Sequence, residues 1–529
     1  MTSVSDTQQA RADIGGDFLA PRALNPNVAL MLWDSAEHHG DRPAIVQRDR
    51  SVDYASLRAR ASAIGAALLA AGARADDRVA ILLERGADAA AALFGVMGVG
   101  CVAVVLDETL RPRQIEHILS DAGTVAVLTS NEMLGRQPRA LLTSARLLDV
   151  HTVAATDELQ PCPRLGSDLA QIIYTSGSTG LPKGVTITHA NLWAGMRAVT
   201  SYLGITLADR IASLLPFSFD YGCNQLLCAV GTGSALVVIR TPVPQQIVAK
   251  LRGERVSVLP AVPPLWLQLL QVPGFVSTPM TSLRIMTNTG GQLPVDAVRR
   301  LRAAHPDASL VLMYGLTEAF RATYLPPGEV DARPGSIGQA IPGAEILVLR
   351  QDLTPCADGE VGELVQRGPT VAAGYWGNPE ATARVFRPNP LRPSGAPDHE
   401  RVVFSGDLVR RDGDGFLYFV GRRDRMIKTL GHRVSPEEVA DVLYASGEIA
   451  EGVVDAEPDD VRGERIVGYV VLAPGGSLAR LEAFCRREMP RYMQPSRIEL
   501  RDTLPRTSSC KHDVRAARTT EAAHEPPPT

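Results

Sequence analysis

No apolar run in this sequence approaches the roughly 18 residues that a membrane-spanning helix needs. An excess of one charge is also lacking, because 54 lysines and arginines face 58 aspartates and glutamates, which leaves a net charge of −4. A nucleic-acid-binding protein would carry a basic excess, so we expect no nucleic-acid partner. The N-terminal residues lack the basic segment followed by an apolar segment that marks a signal peptide. These absences predict a soluble, cytoplasmic protein without a membrane partner.

Cysteine is scarce and scattered. The seven cysteines are odd in number and form no CxxC pair. A disulfide framework or a zinc site would need paired, regularly spaced cysteines, so both are excluded and a reducing compartment is favoured. No internal repeat is visible, and 529 residues are too many for one hydrophobic core. We therefore expect two or more domains.

What the sequence does contain is an alternation of apolar, strand-like runs with helical stretches rich in alanine and leucine. The strand-like runs are residues 78–84, 101–106, 125–130, 234–239, 256–262 and 309–314. This βαβαβ rhythm predicts parallel, doubly wound sheets. Residues 335–420 instead show short strands separated by glycine, proline and aspartate turns. A compact α+β segment follows GRRDR at 421–425, which places the main domain boundary there.

The strongest local signal is YTSGSTGLPKGVTITHANL at residues 174–192. An apolar strand precedes its glycine-rich part and a helix follows, which a flexible linker would not show. Three glycines and four hydroxyl residues within ten positions make a loop whose N–H and O–H groups can wrap phosphate oxygens, and Lys183 adds positive charge. The spacing is not that of a Walker A loop. The segment predicts a phosphate-binding site.

TSGSTGLPKG resembles the phosphate loop of the adenylate-forming superfamily, which includes acyl- and aryl-CoA synthetases, peptide-synthetase adenylation domains and luciferases. Five further motifs of that superfamily follow in the expected order. They are NTGG at 288–291, YGLTE at 314–318, GELVQRGPTVAAGYWGNPEATARVF at 362–386, SGDLVRRDGDGFLYFVGRRDRMIKTLGHRVSP at 405–436 and LPRTSSCKHD at 504–513. The resemblance thus extends over nearly the whole chain.

This resemblance implies an α/β fold. A large N-terminal domain of two doubly wound sheets plus a small distorted β-barrel would be followed by a small, mobile α+β C-terminal domain. The expected divisions are disordered residues 1–25, an N-terminal adenylate-forming domain at 26–420, a hinge at 421–424, a swinging domain at 425–516 and a disordered tail at 517–529. Both ends are polar or proline-rich, which agrees with disorder.

The resemblance also implies a reaction, in which ATP activates a carboxylic acid as an acyl-adenylate and the acyl group then passes to a thiol. A carboxylate that attacks ATP meets like charge, so catalysis needs Mg²⁺ and a cation near the α-phosphate. Glu318 is the expected metal ligand, and Thr317 the expected phosphate donor. Lys511 would bridge carboxylate and phosphate oxygens. Asp424 matches the hinge, and Lys428 lies on the face expected for thiol transfer.

A nucleotide site follows from the same motifs. Asp407 should accept the ribose hydroxyls, and Tyr314 should stack on adenine. The residues expected to bind the nucleotide are Thr175, Ser176, Gly177, Ser178, Thr179, Gly180, Lys183, Asn288, Gly290, Gly291, Tyr314, Thr317, Asp407, Arg422 and Lys511. Gly431 should let a phosphopantetheine arm pass close to the backbone. Cys510 stands where the family usually has glycine, so a left-handed backbone there would be strained.

The acyl pocket is expected around LLPFSFDYGCNQLL at residues 214–227. Asp220 falls where amino-acid-activating members have the aspartate that pairs with the substrate ammonium, or else it caps the following helix. Arg321 recognises a second carboxylate or faces solvent. The expected lining residues are Asp220, Tyr221, Asn224, Leu265, Thr287, Thr289, Met313, Arg321 and Ala322. The bulk of Tyr221, Leu265 and Met313 favours a small acid over a long acyl tail.

No carrier serine motif follows residue 515, so the acceptor is expected to be coenzyme A or a separate carrier protein. Arg486, Arg487 and Arg491 form either a docking patch for an acidic carrier or an ordinary solvated face. SFDYG with YGLTEAFR is similar to two groups of ligases, those that load amino acids in polyketide macrolactam pathways and those encoded beside exosortase systems.

Asp220 fits the first of these groups better. We therefore expect transfer of a small amino acid to the phosphopantetheine thiol of a carrier protein. The alternative is an acyl- or aryl-CoA ligase for a simple carboxylic acid. A non-catalytic adenylate-binding regulator, suggested by Cys510 alone, is disfavoured by the intact Lys183, Glu318, Asp407 and Lys511.

Overall fold

The chain folds into two compact units, Met1–Arg240 with Ala372–Pro379 and Thr241–Val371 with Glu380–Thr529. The computed structural model describes residues 25–47, 50–136, 145–154, 159–175, 182–395, 400–430, 432–459, 462–507 and 509–519. Within those ranges, every helix is too short or too polar to cross a lipid bilayer.

The first unit contains eleven of the described strands. They are Pro43–Gln47 (β1), Arg50–Asp53 (β2), Arg78–Ile81 (β3), Val102–Val105 (β4), Ala126–Thr129 (β5), Arg146–Asp149 (β6), Leu169–Thr175 (β7), Lys183–Thr188 (β8), Arg210–Ser213 (β9), Ala235–Val238 (β10) and Gly374–Tyr375 (β18). Its helices are Leu30–His39 (α1), Tyr54–Ala70 (α2), Ala87–Gly98 (α3), Pro112–Ala122 (α4), Asn131–Arg136 (α5), His189–Leu203 (α6) and Asp220–Thr232 (α7). A 3-10 turn spans Val150–Thr152.

The predicted βαβαβ rhythm is confirmed in this unit. Strands β3, β4 and β5 are parallel, and α3 and α4 connect them. Seven strands form one sheet in the order β18-β8-β7-β4-β3-β5-β6, and four others pair in the order β9-β10-β1-β2. Every residue of α3 except Asp88 is buried, because alanine and glycine let neighbouring backbones approach closely. The helix that connects β3 and β4 is thus apolar except at Asp88.

One strand of this unit was not predicted. Residues 183–188 form β8, which pairs antiparallel with β7 before helix α6 begins. The start of α6 is set by a capping box, in which the Thr188 hydroxyl accepts the Asn191 N–H at 3.1 Å and the Asn191 side chain accepts the Thr188 N–H at 2.9 Å. The helix ends at Gly204 with φ +57°.

The second unit contains the remaining described strands. They are Val258–Ala261 (β11), Ile285–Asn288 (β12), Ser309–Tyr314 (β13), Thr323–Leu325 (β14), Gln339–Ala340 (β15), Glu345–Leu349 (β16), Val361–Arg367 (β17), Phe386–Pro388 (β19), Arg401–Arg411 (β20), Leu417–Arg422 (β21), Ile427–Thr429 (β22), His432–Val434 (β23), Ile449–Asp459 (β24), Gly463–Leu472 (β25) and Arg497–Leu500 (β26).

The other helices are Pro244–Gly253 (α8), Pro263–Leu269 (α9), Pro273–Val276 (α10), Val295–Ala304 (α11), Pro379–Val385 (α12), Pro436–Ala445 (α13), Leu478–Glu488 (α14) and Val514–Thr519 (α15). Two 3-10 turns span Thr317–Ala319 and Pro327–Glu329. Several of these helices begin with proline, whose fixed φ suits the first turn, where its missing N–H is not needed.

Three groups of paired strands organise the second unit. Strands β11, β12 and β13 are parallel, and β14 and β15 extend them antiparallel. An antiparallel sheet of the order β16-β17-β20-β19, with β21 also on β20, corresponds to the short-strand region predicted for residues 335–420. A third sheet has the order β23-β22-β25-β24, with β26 on β25. The mixed α/β class is confirmed.

The C-terminal segment has a hydrophobic core of its own. Helices α13 and α14 contribute Val439, Leu443, Leu481 and Cys485 to a buried cluster with Ile466 and other strand residues. The final helix α15 runs to Thr519, and Ala517 is buried, so residues 517–519 are helical rather than part of the expected tail. Residues 1–24 and 520–529, where disorder was expected, lie outside the described residues. The hinge at 421–424 stays a prediction.

Candidate functional site

A bulged segment of β20 presents a buried carboxylate. The backbone of Gly406 has φ +74°, which favours glycine, and the pairing of β20 with β17 shifts register here. The Ser405 hydroxyl accepts the Asp407 N–H at 3.0 Å and donates to the Leu364 carbonyl at 2.6 Å. Glu363 accepts the Gly406 N–H at 3.0 Å. Strand β17 therefore holds Asp407 in one orientation.

Two side chains from other strands face the Asp407 carboxylate. The Tyr314 hydroxyl donates to its Oδ2, and the Arg422 Nε lies 3.3 Å from its Oδ1. Burial raises the pKa of Asp407, although the Arg422 charge and the Tyr314 hydrogen bond act to lower it. Burial and the Asp407 charge also hold the pKa of Tyr314 well above its usual value. Oδ1 of Asp407 is buried and accepts no hydrogen bond from the described residues.

Four residues from two separate predicted motifs thus lie together. Tyr314 ends β13, Asp407 lies in β20, and Arg422 ends β21. Arg422 Nε is also 3.2 Å from the Asp424 carboxylate, which is exposed. These three strands bring the predicted ribose, adenine and hinge positions into one cluster, which we call the Asp407 cluster.

The NTGG motif forms a tight turn after β12. Gly290 has φ +82°, and the Asn288 amide donates to the Gly291 carbonyl at 3.1 Å. The Asn288 Oδ1 atom is buried and accepts no hydrogen bond from the described residues. The next residue, Gln292, donates to the Asp441 carboxylate on α13 at 2.9 Å. This bond connects the predicted adenine-contacting turn to the C-terminal segment.

The YGLTE motif reverses the chain between β13 and β14. Thr317 and Glu318 lie in a 3-10 turn, both half-buried, and Phe320 follows with φ +56°. A left-handed phenylalanine is strained, which is typical of functional turns. The Ala322 N–H then returns to the Tyr314 carbonyl at 3.1 Å. Among the described residues, no cluster of three or more histidine, cysteine, aspartate or glutamate side chains could hold a metal, so Glu318 would need ligands from elsewhere.

Arg321 is fully buried, and so the alternative that it faces solvent is wrong. One guanidinium nitrogen donates to the Phe320 carbonyl at 2.6 Å, and the guanidinium carbon lies 5.5 Å from the centroid of the Phe320 ring. Its own carbonyl accepts the Gln366 amide at 2.7 Å. These contacts fix a positive charge inside the second unit.

The other predicted acyl-pocket residues are also interior. In the first unit, Asp220 is the first residue of α7, and Phe219 occupies the N-cap position. The positive end of the helix dipole stabilises a carboxylate at this position, although Asp220 is not the N-cap residue. The buried candidates are Asp220, Tyr221 and Asn224 in the first unit and Leu265, Thr287, Thr289, Met313 and Ala322 in the second.

The ends of the predicted phosphate loop face each other. Thr175 ends β7, Lys183 begins β8, and the two are register partners. Ser176, Gly177, Ser178, Thr179 and Gly180 lie outside the described residues, so their role stays a prediction. The alternation of apolar and polar residues in GVTIT was the sequence signal that could have predicted strand β8.

Lys511 lies in a hairpin whose ends are Arg506 and His512. Cys510 has φ +60°, so the condition under which a cysteine would be strained at this position is met. Lys428, in β22, is exposed, and its N–H donates to Glu464 at 2.6 Å. Gly431 lies outside the described residues.

The three candidate docking arginines are exposed. Arg486 lies 3.6 Å from Glu482, and Arg487 lies 2.6 Å from Glu488. Nearby carboxylates therefore offset two of these charges, and a docking role for Arg486, Arg487 and Arg491 stays a prediction.

Comparisons with known proteins give a consistent picture. The family model for AMP-binding enzymes matches residues 32–376, and that for the AMP-binding enzyme C-terminal domain matches residues 438–511. Tyrocidine synthase 1 of Brevibacillus parabrevis is 29% identical over 97% of this chain, which spans only 47% of that protein. Novobiocin biosynthesis protein H of Streptomyces niveus is 32% identical over 91% of this chain and 81% of that protein.

Two smaller proteins match over nearly their full length. The L-proline--[L-prolyl-carrier protein] ligase of Pseudomonas fluorescens is 28% identical over 91% of this chain and 97% of its own. The structure of O-succinylbenzoate coenzyme A synthetase from Bacillus subtilis, in complex with ATP and magnesium ion, has a TM-score of 0.80 and 27% identity. It covers 91% of this chain and 98% of that one.

The Asp441 carboxylate predicts a pH-dependent stability. Burial, with the charges of Glu437 and Glu438, raises the pKa of Asp441 to about 7. In the unfolded chain that pKa is about 3.9, so the folded state holds a proton that the unfolded state releases. The stability contributed at this site is therefore full below the unfolded pKa and is lost as the pH rises through about 7.

Asp441→Asn removes the charge and keeps an acceptor for Gln292. It should raise the thermal unfolding midpoint more at about pH 8 than at about pH 5. At about pH 8 the Asp441 carboxylate of the unsubstituted protein is ionised and destabilises the folded state, whereas at about pH 5 it is protonated. Thermal scans of both proteins at both pH values test this. An equal change at the two pH values would contradict the raised pKa.

Proposed function

We propose that this chain, which belongs to the family of AMP-binding enzymes, activates a carboxylic acid with ATP and transfers the acyl group to a thiol. The observation that carries the proposal is the Asp407 cluster, in which Tyr314 and Arg422 orient a buried carboxylate. The chain is accordingly an AMP-forming acid–thiol ligase, and the proline–carrier protein ligase and the CoA synthetase among its relatives support that class.

The donors of a nucleoside fit two buried acceptors in the second unit. Oδ1 of Asp407 and Oδ1 of Asn288 accept no hydrogen bond from the described residues. Buried oxygens are usually satisfied, and a ribose hydroxyl or a base amino group is a donor of the required kind. Asp407 would accept the ribose hydroxyls, and Asn288, Gly290 and Gly291 would contact adenine.

Magnesium fits the same site through the nucleotide. Glu318 offers a hard oxygen ligand, and Mg²⁺ is commonly held by one or two carboxylates together with substrate phosphates. Bound there, the ion would offset the negative charge of the phosphates. Thr175, Thr317 and Lys183 would contact the phosphates, and Lys511 would supply a further positive charge during adenylation.

For the acid we propose a small amino acid. Asp220 is a buried carboxylate in the pocket segment, and a substrate ammonium is the natural partner for it. The carrier-protein ligase that acts on proline supports an amino-acid substrate. A simple aryl or acyl acid is the second candidate, which the O-succinylbenzoate CoA synthetase supports.

For the acceptor we propose the phosphopantetheine thiol of a separate carrier protein, with coenzyme A as the alternative. Lys428 and Gly431 would line the approach of that thiol, after rotation of residues 425–516 about Asp424. Arg486, Arg487 and Arg491 would dock an acidic carrier. A role in antibiotic biosynthesis is proposed from the similarity to tyrocidine synthase 1 and novobiocin biosynthesis protein H.

Tyr314→Phe tests the ribose assignment. Loss of the hydroxyl leaves Asp407 without its oriented donor, and the Michaelis constant for ATP in pyrophosphate exchange should rise roughly 10-fold, as expected for a hydrogen bond to a charged group. Tyr418→Phe is the matched control, because its hydroxyl donates to Asp412 at 3.0 Å in the same sheet. A similar rise in both variants would contradict the ribose role.

Lys511→Ala tests the division into two half-reactions. Pyrophosphate exchange should fall by about 10²-fold or more, because the lysine stabilises charge in adenylation. Transfer from a supplied acyl-adenylate should persist. Lys428→Ala should show the reverse pattern, with exchange retained and transfer slowed. Equal loss of both half-reactions in Lys511→Ala would refute its assigned role.

Asp220→Ala tests the substrate class, after an exchange panel of amino, aryl and acyl acids has found the preferred substrate. With an amino acid as substrate, the specificity constant should fall by a factor that corresponds to roughly 3–5 kcal/mol of activation free energy, since a buried ammonium loses its partner. The specificity constant for the matching deamino acid should rise relative to that for the amino acid. Asp209→Ala, which removes a buried acceptor of the Thr206 N–H, should affect both substrates equally. Exchange with aryl or acyl acids alone would establish the second candidate.

A further inference from the structure

The Lys511 hairpin is defined by backbone bonds around a strained residue. The Thr507 N–H donates to the Lys511 carbonyl at 2.8 Å, and the Cys510 N–H donates to the Thr507 carbonyl at 2.9 Å. The Thr507 hydroxyl accepts the Lys511 N–H at 3.3 Å. Cys510 adopts φ +60°, a conformation that is strained for a residue with a side chain. A strained hairpin persists only when its surroundings hold it.

One carboxylate holds both ends of this hairpin. Oε1 of Glu451 accepts Arg506 Nη2 at 2.9 Å, and Oε2 accepts His512 Nε2 at 3.0 Å. Arg506 and His512 are bridge partners on opposite sides of the hairpin. Arg506 also reaches the Pro264 carbonyl, in α9, at 3.5 Å. Glu451 therefore connects the residue before the hairpin tip with the residue directly after Lys511.

Glu451 is itself held firmly. It lies in β24, and its side chain is only 15% exposed. The next residue, Gly452, donates its N–H to the Tyr444 hydroxyl at 2.8 Å and accepts from that hydroxyl at 3.2 Å. Burial acts to raise the pKa of Glu451, but the His512 hydrogen bond and the Arg506 charge outweigh it and hold that pKa below its usual value.

We propose that Glu451 is a positioning residue for adenylation, which sets the position of Lys511 by holding Arg506 and His512 together. The inference rests on the proposed role of Lys511. A lysine ammonium on a flexible stem stabilises a developing charge only if its backbone is already in place, because ordering it during the reaction costs free energy. Without Glu451 the strained hairpin loses its common anchor.

The chain offers a matched control on the same strand. Glu457 also lies in β24, and its carboxylate binds Arg465 at 2.6 Å and Arg497 at 2.8 Å, with an exposed side-chain fraction of 11%. Exposure and the number of side-chain partners are thus similar, but among the described residues the hydrogen bonds of Glu457 go to Arg465 and Arg497 and not to residues 506–512. A variant at Glu457 reports the general effect of losing a carboxylate from β24.

The experiment compares the two half-reactions in the full chain for Glu451→Ala, Glu451→Gln, Glu457→Ala and Lys511→Ala, with the thermal unfolding midpoint of each. Glu451→Ala should lower pyrophosphate exchange about 10-fold, in keeping with the loss of a charged hydrogen-bond anchor. Transfer from a supplied acyl-adenylate should change less than about 2-fold, since Lys511 is not needed there. Glu451→Gln, whose amide oxygen can still accept one of the two bonds, should recover part of the exchange.

A double variant separates positioning from stability. In the Lys511→Ala background, Glu451→Ala should cause no further loss of exchange, because the two residues act through one group. Glu457→Ala should leave the ratio of the half-reactions unchanged. Equal loss of both half-reactions in Glu451→Ala and in Glu451→Gln, or additive loss in the double variant, would overturn the positioning role.

The outcomes also distinguish this inference from the proposed function. If Lys511→Ala abolishes exchange while Glu451→Ala retains it, the positioning role is overturned and the ligase assignment stands. If Lys511→Ala retains exchange, the role of Lys511 fails, and the positioning role fails with it.

Discussion

The free energy of burying the Asp407 carboxylate constrains the architecture of the second unit. An unpaired charge in the interior would be too costly, and it is tolerated here because Tyr314 and Arg422 supply a donor and a positive charge. Those two partners end strands β13 and β21, while Asp407 lies in β20. Two different sheets must therefore keep their relative position for the carboxylate to stay compensated. The Oδ1 atom, which accepts no hydrogen bond from the described residues, is the acceptor that we propose for a ribose hydroxyl.

The contacts of the C-terminal segment with the rest of its unit are of a different kind from those within its own core. Inside, apolar residues of α13, α14 and the strands pack together. Outward, the segment makes polar contacts such as the bonds of Asp441 to Gln292 and of Arg506 to the Pro264 carbonyl. Polar contacts can be exchanged for water at small net cost, whereas an exposed apolar core cannot. This difference agrees with the proposed rotation of residues 425–516 as one body between half-reactions.

Sequence patterns predicted what depends on local order. The parallel β3, β4 and β5 with their helices follow from hydrophobic periodicity, whereas the order of the motifs was recognised from the resemblance to the adenylate-forming superfamily. Strand β8 was missed because its short alternation lies between a loop and a helix, where the helix pattern is stronger. The sequence left open whether Arg321 is buried, since a charged side chain is usually exposed. Only tertiary packing against Phe320, with a hydrogen bond to its carbonyl, reverses that preference. The pairings of Glu451 with Arg506 and of Gln292 with Asp441 connect distant positions, and one sequence contains no signal for them.

The pairing of Thr175 with Lys183 has a consequence for the thermodynamics of the proposed phosphate binding. Closing a loop reduces the entropy of the chain by an amount that grows with the logarithm of its length. Here the β7–β8 ladder closes the loop as part of folding, so that entropy loss belongs to the stability of the sheet and not to the binding equilibrium. A phosphate held between these strand ends does not have to bring them together. Substitutions that weaken the ladder should therefore lower the affinity for the ligand, because part of the closure entropy would then be lost on binding.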